Sequence, residues 1–241
     1  MGKKKKVKKK NQKKNRWIIV GLIIVLLALL VVLWNVINAK KANKQEKNEV
    51  VKETVELPYS LDDGKLEVIS LFQSTIANPD CNEEDGENIA SIEVKNQSGQ
   101  FLTSANITIK LEDNTELNFR IIDVPADGTV WAFEVNNTEI PEQPVCESVK
   151  CEAVYEEENP VMTDQVSVEA EGTTVMISNL TDKDLTNLDV SFHCLFDEGV
   201  YYGGTVYTYP IDTIHAGESI SMDVSECYLG KAEAVRIIQE K

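Results

Sequence analysis

Two patterns of apolar residues divide the chain. The first is continuous. Residues 17–34, from Trp17-Ile-Ile-Val to Val-Leu-Trp34, contain no charge and no strongly polar side chain, and Asn35, Val36 and Ile37 extend the run to 21 residues. An α-helix of that length reaches about 31 Å, the hydrocarbon thickness of a bilayer. A helix can cross as a single segment because its backbone hydrogen bonds close internally. The pattern predicts a transmembrane α-helix over residues 17–38, with the amphipathic rings of Trp17 and Trp34 at the two interfaces. The second pattern begins after residue 60 and has period two. Leu66, Val68, Ser70 and Phe72 alternate with more polar neighbours, as do Ile89 to Val94 and the set Ile107, Ile109, Leu111. Turn pairs such as Asp63-Gly64, Asp85-Gly86, Ser98-Gly99 and Asp127-Gly128 separate such runs. Short half-buried strands with recurrent turns and no helical stripe predict an all-β outer part built as β-sandwiches.

The outer part repeats itself. Ile92-Glu-Val94-Lys-Asn96 resembles Val175-Met-Ile177-Ser-Asn179 at an offset of 83, which also pairs Leu102-Thr103 with Leu185-Thr186 and Ile107 with Val190. Val124-Pro-Ala126 matches Ile214-His-Ala216 at an offset of 90, and Cys146 to Val154 matches Cys227 to Val235 at an offset of 81. Such self-similarity predicts two copies of one domain. The boundaries are a tail over 1–16, the helix over 17–38, a stalk over 39–60, domain 1 over 61–155, a linker over 156–162 and domain 2 over 163–241.

The second copy carries a recognisable arrangement: Ile177-Ser-Asn179, then Leu185-Thr-Asn-Leu188-Asp-Val190-Ser-Phe192, then Leu195-Phe196-Asp197-Glu-Gly199, then Ile214-His-Ala-Gly217-Glu-Ser219. It resembles the FxLYD family of bacterial surface immunoglobulin-like domains over residues 173–222 and, more weakly, over 90–132. The first copy departs from the pattern: Leu111-Glu-Asp113-Asn114 lacks the aromatic, and Asp127 stands where a Gly is expected. The resemblance implies two tandem immunoglobulin-like β-sandwich domains, an extracellular binding or spacer role in a Gram-positive-type bacterium, and no catalytic residues.

Charge adds a direction. The chain has 24 Lys+Arg and 40 Asp+Glu, a net charge of −16. Residues 1–16 hold nine Lys and Arg16 without an acid, so they carry +10, whereas residues 59–241 hold nine basic and 36 acidic residues, 9 − 36 = −27. A uniformly acidic soluble protein is excluded. The larger basic block stays on the cytoplasmic side, which predicts N-terminus in and C-terminal domains outside. A cleaved signal peptide is the rival reading, but its apolar core runs about 7–15 residues. The basic tail lacks the interleaved aromatics of a nucleic-acid-binding segment, so its expected partner is the lipid bilayer and not nucleic acid.

Five cysteines, Cys81, Cys146, Cys151, Cys194 and Cys227, all fall on the outer side, where disulfides persist. Cys194 and Cys227 are the two cysteines of the second copy and are expected to pair. Cys146 is the counterpart of Cys227; Cys81 is its expected partner, with Cys151 the alternative. His193 is expected to be exposed, opposite the Phe192/Cys194 face. The second copy also has an insertion, Gly199 to Pro210, containing Tyr201, Tyr202, Tyr207 and Tyr209. Tyrosine offers rigid amphipathic area, so this stretch is the candidate contact loop; the plainer reading has the tyrosines packing across two strands. The acidic loop Asp80 to Asn88 could offer hard oxygen ligands to calcium, but it lacks the spacing of the twelve-residue calcium loop and reads as a solvated turn. Asn96, Asn106, Asn136 and Asn179 each begin an Asn-x-Ser/Thr triplet.

No nucleophile elbow, phosphate loop or dinucleotide fingerprint occurs, so neither an enzyme nor a cofactor is expected. The chain reads as a single-pass membrane protein displaying two β-sandwich modules for binding, adhesion or structural organisation at a bacterial envelope, its partner an unidentified extracellular protein or envelope ligand. The alternative is a regulatory or sensory accessory subunit of a membrane complex. The pattern places Phe192 in the core of the second copy. Phe192→Ala is expected to lower stability by about 3–5 kcal/mol; denaturant unfolding with an unchanged midpoint would refute that placement.

Overall fold

The computed structural model describes residues 54–74, 76, 78–80, 88–157, 160–196 and 199–239, all within the unit Glu53–Lys241. The predicted tail, the helix with Trp17 and Trp34, most of the stalk, Cys81 and most of the acidic loop lie outside the described residues. Among the described residues no helix is long and apolar enough to cross a membrane.

The described unit is all-β. Its strands are β1 (Tyr59–Leu61), β2 (Leu66–Ser74), β3 (Ile89–Asn96), β4 (Phe101–Leu111), β5 (Glu116–Val124), β6 (Thr129–Phe133), β7 (Cys146–Glu156), β8 (Val166–Glu171), β9 (Thr174–Asn179), β10 (Leu185–Leu195), β11 (Val200–Ile214), β12 (Ser219–Asp223) and β13 (Lys231–Gln239). They form three sheets, ordered β1-β2-β3-β6-β11-β10-β13, β12-β9-β8 and β5-β4-β7. One pairing scheme occurs twice. The neighbours β2-β3-β6 and β5-β4-β7 of the first strand set recur as β8-β9-β12 and β11-β10-β13 in the second. The two sets join where β6 and β11 run parallel, with Thr129, Val130 and Trp131 opposite Val200, Tyr201 and Tyr202.

Two cores follow from the alternation. In β4, Ala105, Ile107, Ile109 and Leu111 turn inward; in β5, Leu117, Phe119 and Ile121 do so, and they meet Leu66, Val68, Ile92 and Val94 from the facing sheet. The second core gathers Val175, Ile177, Leu188, Val190, Phe192, Ile214 and Ile237. Each fully buried side chain of this kind contributes about 1.5–3 kcal/mol. The cores exchange members at the join: Tyr201 and Val235 are buried in the first, Ile89 and Phe133 in the second.

The strand sets share one polar device. Asn96 ends β3, and its Nδ2 donates to the carbonyls of Gln100 (2.8 Å), Val124 (3.2 Å) and Pro125 (3.0 Å). Its Oδ1 accepts from Ser98 N and Ser98 Oγ. Asn179 ends β9 and does the same: Nδ2 donates to Lys183 (2.7 Å), Ile214 (2.9 Å) and His215 (3.2 Å), and Oδ1 accepts from Thr181 N and Oγ1. The backbone N–H groups of Asn96 and Asn179 also match, donating to Gly128 and Glu218 at 2.9 Å. One buried amide therefore closes the turn after its own strand and ties it to the end of β5 or β11. The hydroxyl of the Asn-x-Ser/Thr triplet is part of the clasp, which accounts for two of the four triplets. Asp127 takes φ +60° where Gly217 takes +69°, so the aspartate in place of the expected glycine keeps the left-handed turn, a conformation Asp tolerates better than most residues.

Deleting the clasp amide strands several buried carbonyls, and an unsatisfied buried group costs more than a formed hydrogen bond contributes. Asn179→Ala and Asn96→Ala are each expected to lower stability by about 2–4 kcal/mol. Chemical denaturation of each variant checks this, and a loss near zero would show that the clasp is dispensable.

Candidate functional site

The tyrosine-rich stretch is a strand. β11 pairs with β10 on one side and, over Val200 to Tyr202, with β6 on the other. Tyr201 and Tyr202 are buried, and Tyr207 and Tyr209 are half-buried. Their hydroxyls and rings meet groups of this chain. Tyr201 donates to Glu233 (3.1 Å), Tyr207 to the Pro79 carbonyl (3.2 Å) and Tyr209 to Glu226. Tyr202 packs against Trp131, Phe133 and Phe196, with centroids 4.8–5.8 Å apart. Burial raises the phenol of Tyr207, and that of Tyr209, to about 12.

This stretch belongs to a polar seam between the strand sets. From β5, Asp123 accepts two bonds from the Arg236 guanidinium of β13, at 3.0 and 2.8 Å. Arg236 also reaches Glu156 at 3.3 Å and lies 5.1 Å over the Phe101 ring. Asp123 and Arg236 are only 6% and 17% exposed, which makes the pair a desolvated one. Asp80 accepts from Gly204 N at 2.7 Å and from the backbone and hydroxyl of Thr205. Gly204 is glycine by necessity: a Cβ there would lie 2.0 Å from the Arg120 carbonyl oxygen.

His193 sits in the middle of the seam. The alternation of β10 predicts an exposed ring, but His193 is fully buried. Its Nε2 meets the Ile122 carbonyl at 2.7 Å, and its ring lies 5.0 Å from that of Tyr201. The correction has a physical reason. The face of β10 opposite Phe192 and Cys194 is solvent only in an isolated sandwich; here the end of β5 covers it. Burial holds the imidazole below its usual range, opposed by the Ile122 carbonyl and by Asp80 and Asp123. His215 is the converse case, an exposed ring raised by its hydrogen bond and ion pair with Asp184 at 3.0 Å.

The cysteines divide. Cys194 and Cys227 form a disulfide, with S–S 2.07 Å and Cα–Cα 4.9 Å, closing a separation of 33 residues between β10 and the turn before β13. Cys146 carries a free, buried thiol; Cys81, its expected partner, lies outside the described residues. Cys146 lies opposite Leu111, the residue that occupies the place of Cys194 in the repeat, and the first strand set has an apolar contact where the second has a covalent one. Cys151 is also free. Burial raises its thiol to about 11, with Asp62 and Glu152 adding to the effect, and burial raises Cys146 as well. Thiols held protonated are poor nucleophiles.

Sequence reasoning passed over Asp123, Arg236 and Glu134, and it read Asp80 as one end of a solvated acidic turn, whereas its carboxylate is bound to Gly204 and Thr205. Arg236 carried a signal, a lone cation in the apolar run Ala232 to Ile238. Glu134 did not; its carboxylate is fully buried after β6 and accepts from the backbones of Asn118, Asn136 and Thr138. Among the described residues no group of three or more His, Cys, Asp or Glu side chains is placed to hold a metal. An open groove of about 590 Å³ runs between the edge strands β8 and β13, lined by Val166, Val168, Ala170, Lys231, Ala232 and Ala234. No protein-family model matches the chain, and no curated protein matches it.

Removing one member of a buried ion pair leaves the other uncompensated. Asp123→Ala is expected to cost about 3 kcal/mol, and an Asp123→Ala/Arg236→Met cycle should return a coupling above about 1 kcal/mol. Additive losses in equilibrium denaturation would show that the pair contributes nothing of its own.

Proposed function

We propose that this chain is a single-pass membrane protein that displays two immunoglobulin-like β-sandwich domains, residues 61–155 and 163–241, outside a bacterial cell, where they bind or organise an envelope partner. Residues 156–162 join the domains, residues 39–60 set their reach, and residues 1–16 face the cytoplasm. The observation that carries the reading is the buried Cys194–Cys227 disulfide in the unit that follows the apolar run, because disulfides persist on the oxidising side of a membrane. The doubled strand scheme and the FxLYD-like residues support a tandem of display modules. The seam suits the same role, since it holds one module fixed against the other and presents them to a partner in a set geometry. A role without catalysis agrees with thiols held protonated by burial and with tyrosine hydroxyls engaged inside the chain.

The charge separation sets the physical setting. The +10 of residues 1–16 meets anionic headgroups, and the −27 of residues 59–241 keeps the outer domains soluble and repelled from anionic envelope polymers unless cations intervene. Protease added to intact cells should digest the chain beyond the apolar run and spare an N-terminal tag. Protection of a C-terminal tag under the same conditions would overturn the orientation. Affinity capture with the full chain should recover partners that the outer unit alone also recovers; partners that need the apolar segment would instead support an accessory subunit of a membrane complex.

A further inference from the structure

We propose that the seam between the two strand sets is an acid-released latch, in which protonation of His193 frees β5 from β10 and β11. The inference rests on where the ring sits and on what surrounds each of its nitrogens. His193 is fully buried. The Ile122 carbonyl lies 2.7 Å from Nε2, so in the neutral ring Nε2 carries the proton and donates it. Nδ1 is buried and has no hydrogen-bond partner among the described residues. The unpaired lone pair there already carries a cost. A proton there would be a buried donor without an acceptor, on a ring that also gains a charge.

The groups that face the ring do not relieve this. From β5, Asp123 is negative, but Arg236 of β13 already occupies both of its oxygens. From the loop after β2, Asp80 is negative, but its oxygens accept from Gly204 and Thr205. From β13, Glu233 accepts from the Tyr201 hydroxyl of β11, and Arg236 adds a cation close by. Both aspartates favour the charged ring, yet burial outweighs them. The sign follows. The imidazole is harder to protonate with the seam closed than with it open, so the open form binds the proton first. The contribution of the seam is complete above the ordinary histidine range, near pH 6.5, and is lost as the pH falls below it. Apart from Tyr201, Val235, Ile89 and Phe133, which cross the join, the buried members of each core come from one strand set, so release at the seam does not require the rest of either core to unfold. The latch acts whichever side of a membrane carries the unit.

The test uses the full chain in detergent micelles, carrying ¹⁵N-labelled histidine. Amide exchange is measured at about pH 7.5 and about pH 5 and corrected for intrinsic rates. Protection at Gly204, Thr205 and the end of β5 should fall by about fivefold or more between the two conditions, while β9 and β12 hold theirs. The His193 nitrogens should report protonation over the same interval. His193→Gln offers an amide donor to Ile122 without titrating and should abolish the pH step; His215→Gln should leave it unchanged. An equal loss in His193→Gln, or unchanged protection in the wild-type chain at the lower pH, would overturn the latch. Should His193→Gln not fold, the nitrogen shifts decide: protonation without loss of protection refutes the proposal.

Discussion

Three residue pairs, Thr129–Val200, Val130–Tyr201 and Trp131–Tyr202, run parallel where β6 meets β11, and the contacts of the seam depend on them. Parallel neighbours cannot be joined by a tight turn, so strands well separated in sequence must come together. Once β11 lies beside β6, its continuation past Gly203 and Gly204 passes close over the Arg120 carbonyl. β10 follows β11 by pairing with it, and β13 follows by pairing with β10. Their outer face then meets the end of β5, and His193 and Arg236 find Ile122 and Asp123. The seven-stranded sheet therefore does more than set two sheets side by side. It imposes a second buried face on strands that a lone sandwich would bury on one.

That second face divides what the sequence makes legible from what it does not. The doubling was readable because each strand set has its own local logic. Asn96 and Asn179 share an offset of 83 with the turn residues they hold, Ser98/Thr181 and Gln100/Lys183, and the clasp needs Asn, a hydroxyl two residues on and a fixed turn. The Cys194–Cys227 bridge was readable because these two cysteines share the second copy with no other. Leu111, opposite Cys146, marks a first copy that does without the covalent link. These features lie within one strand set, where spacing in sequence maps onto distance in space.

The seam is different. Period-two alternation can say that Phe192 and His193 point opposite ways, and they do. It cannot say that both sides of the sheet are covered, so it misplaced His193. The tyrosines of β11 suffer the same ambiguity: a strand rich in rigid amphipathic rings suits contact with a partner, but in this chain the other strand set provides contacts for Tyr201, Tyr202 and Tyr207, and Tyr209 meets Phe192 and Glu226 of its own set. Asp80 meets Gly204 across 124 positions, and no local pattern announces it. The expected anchor, a reading of the sequence alone, stands apart from both cases. It is legible from its apolar run and its flanking charge, and it lies outside the described residues.

The central claim is that the two strand sets behave as one cooperative body through the seam, although each has its own core. Scanning calorimetry of the full chain in detergent tests it most directly. The account predicts one endotherm from the β unit, with calorimetric and van't Hoff enthalpies equal. Two separable endotherms, each fitting one strand set, would contradict it.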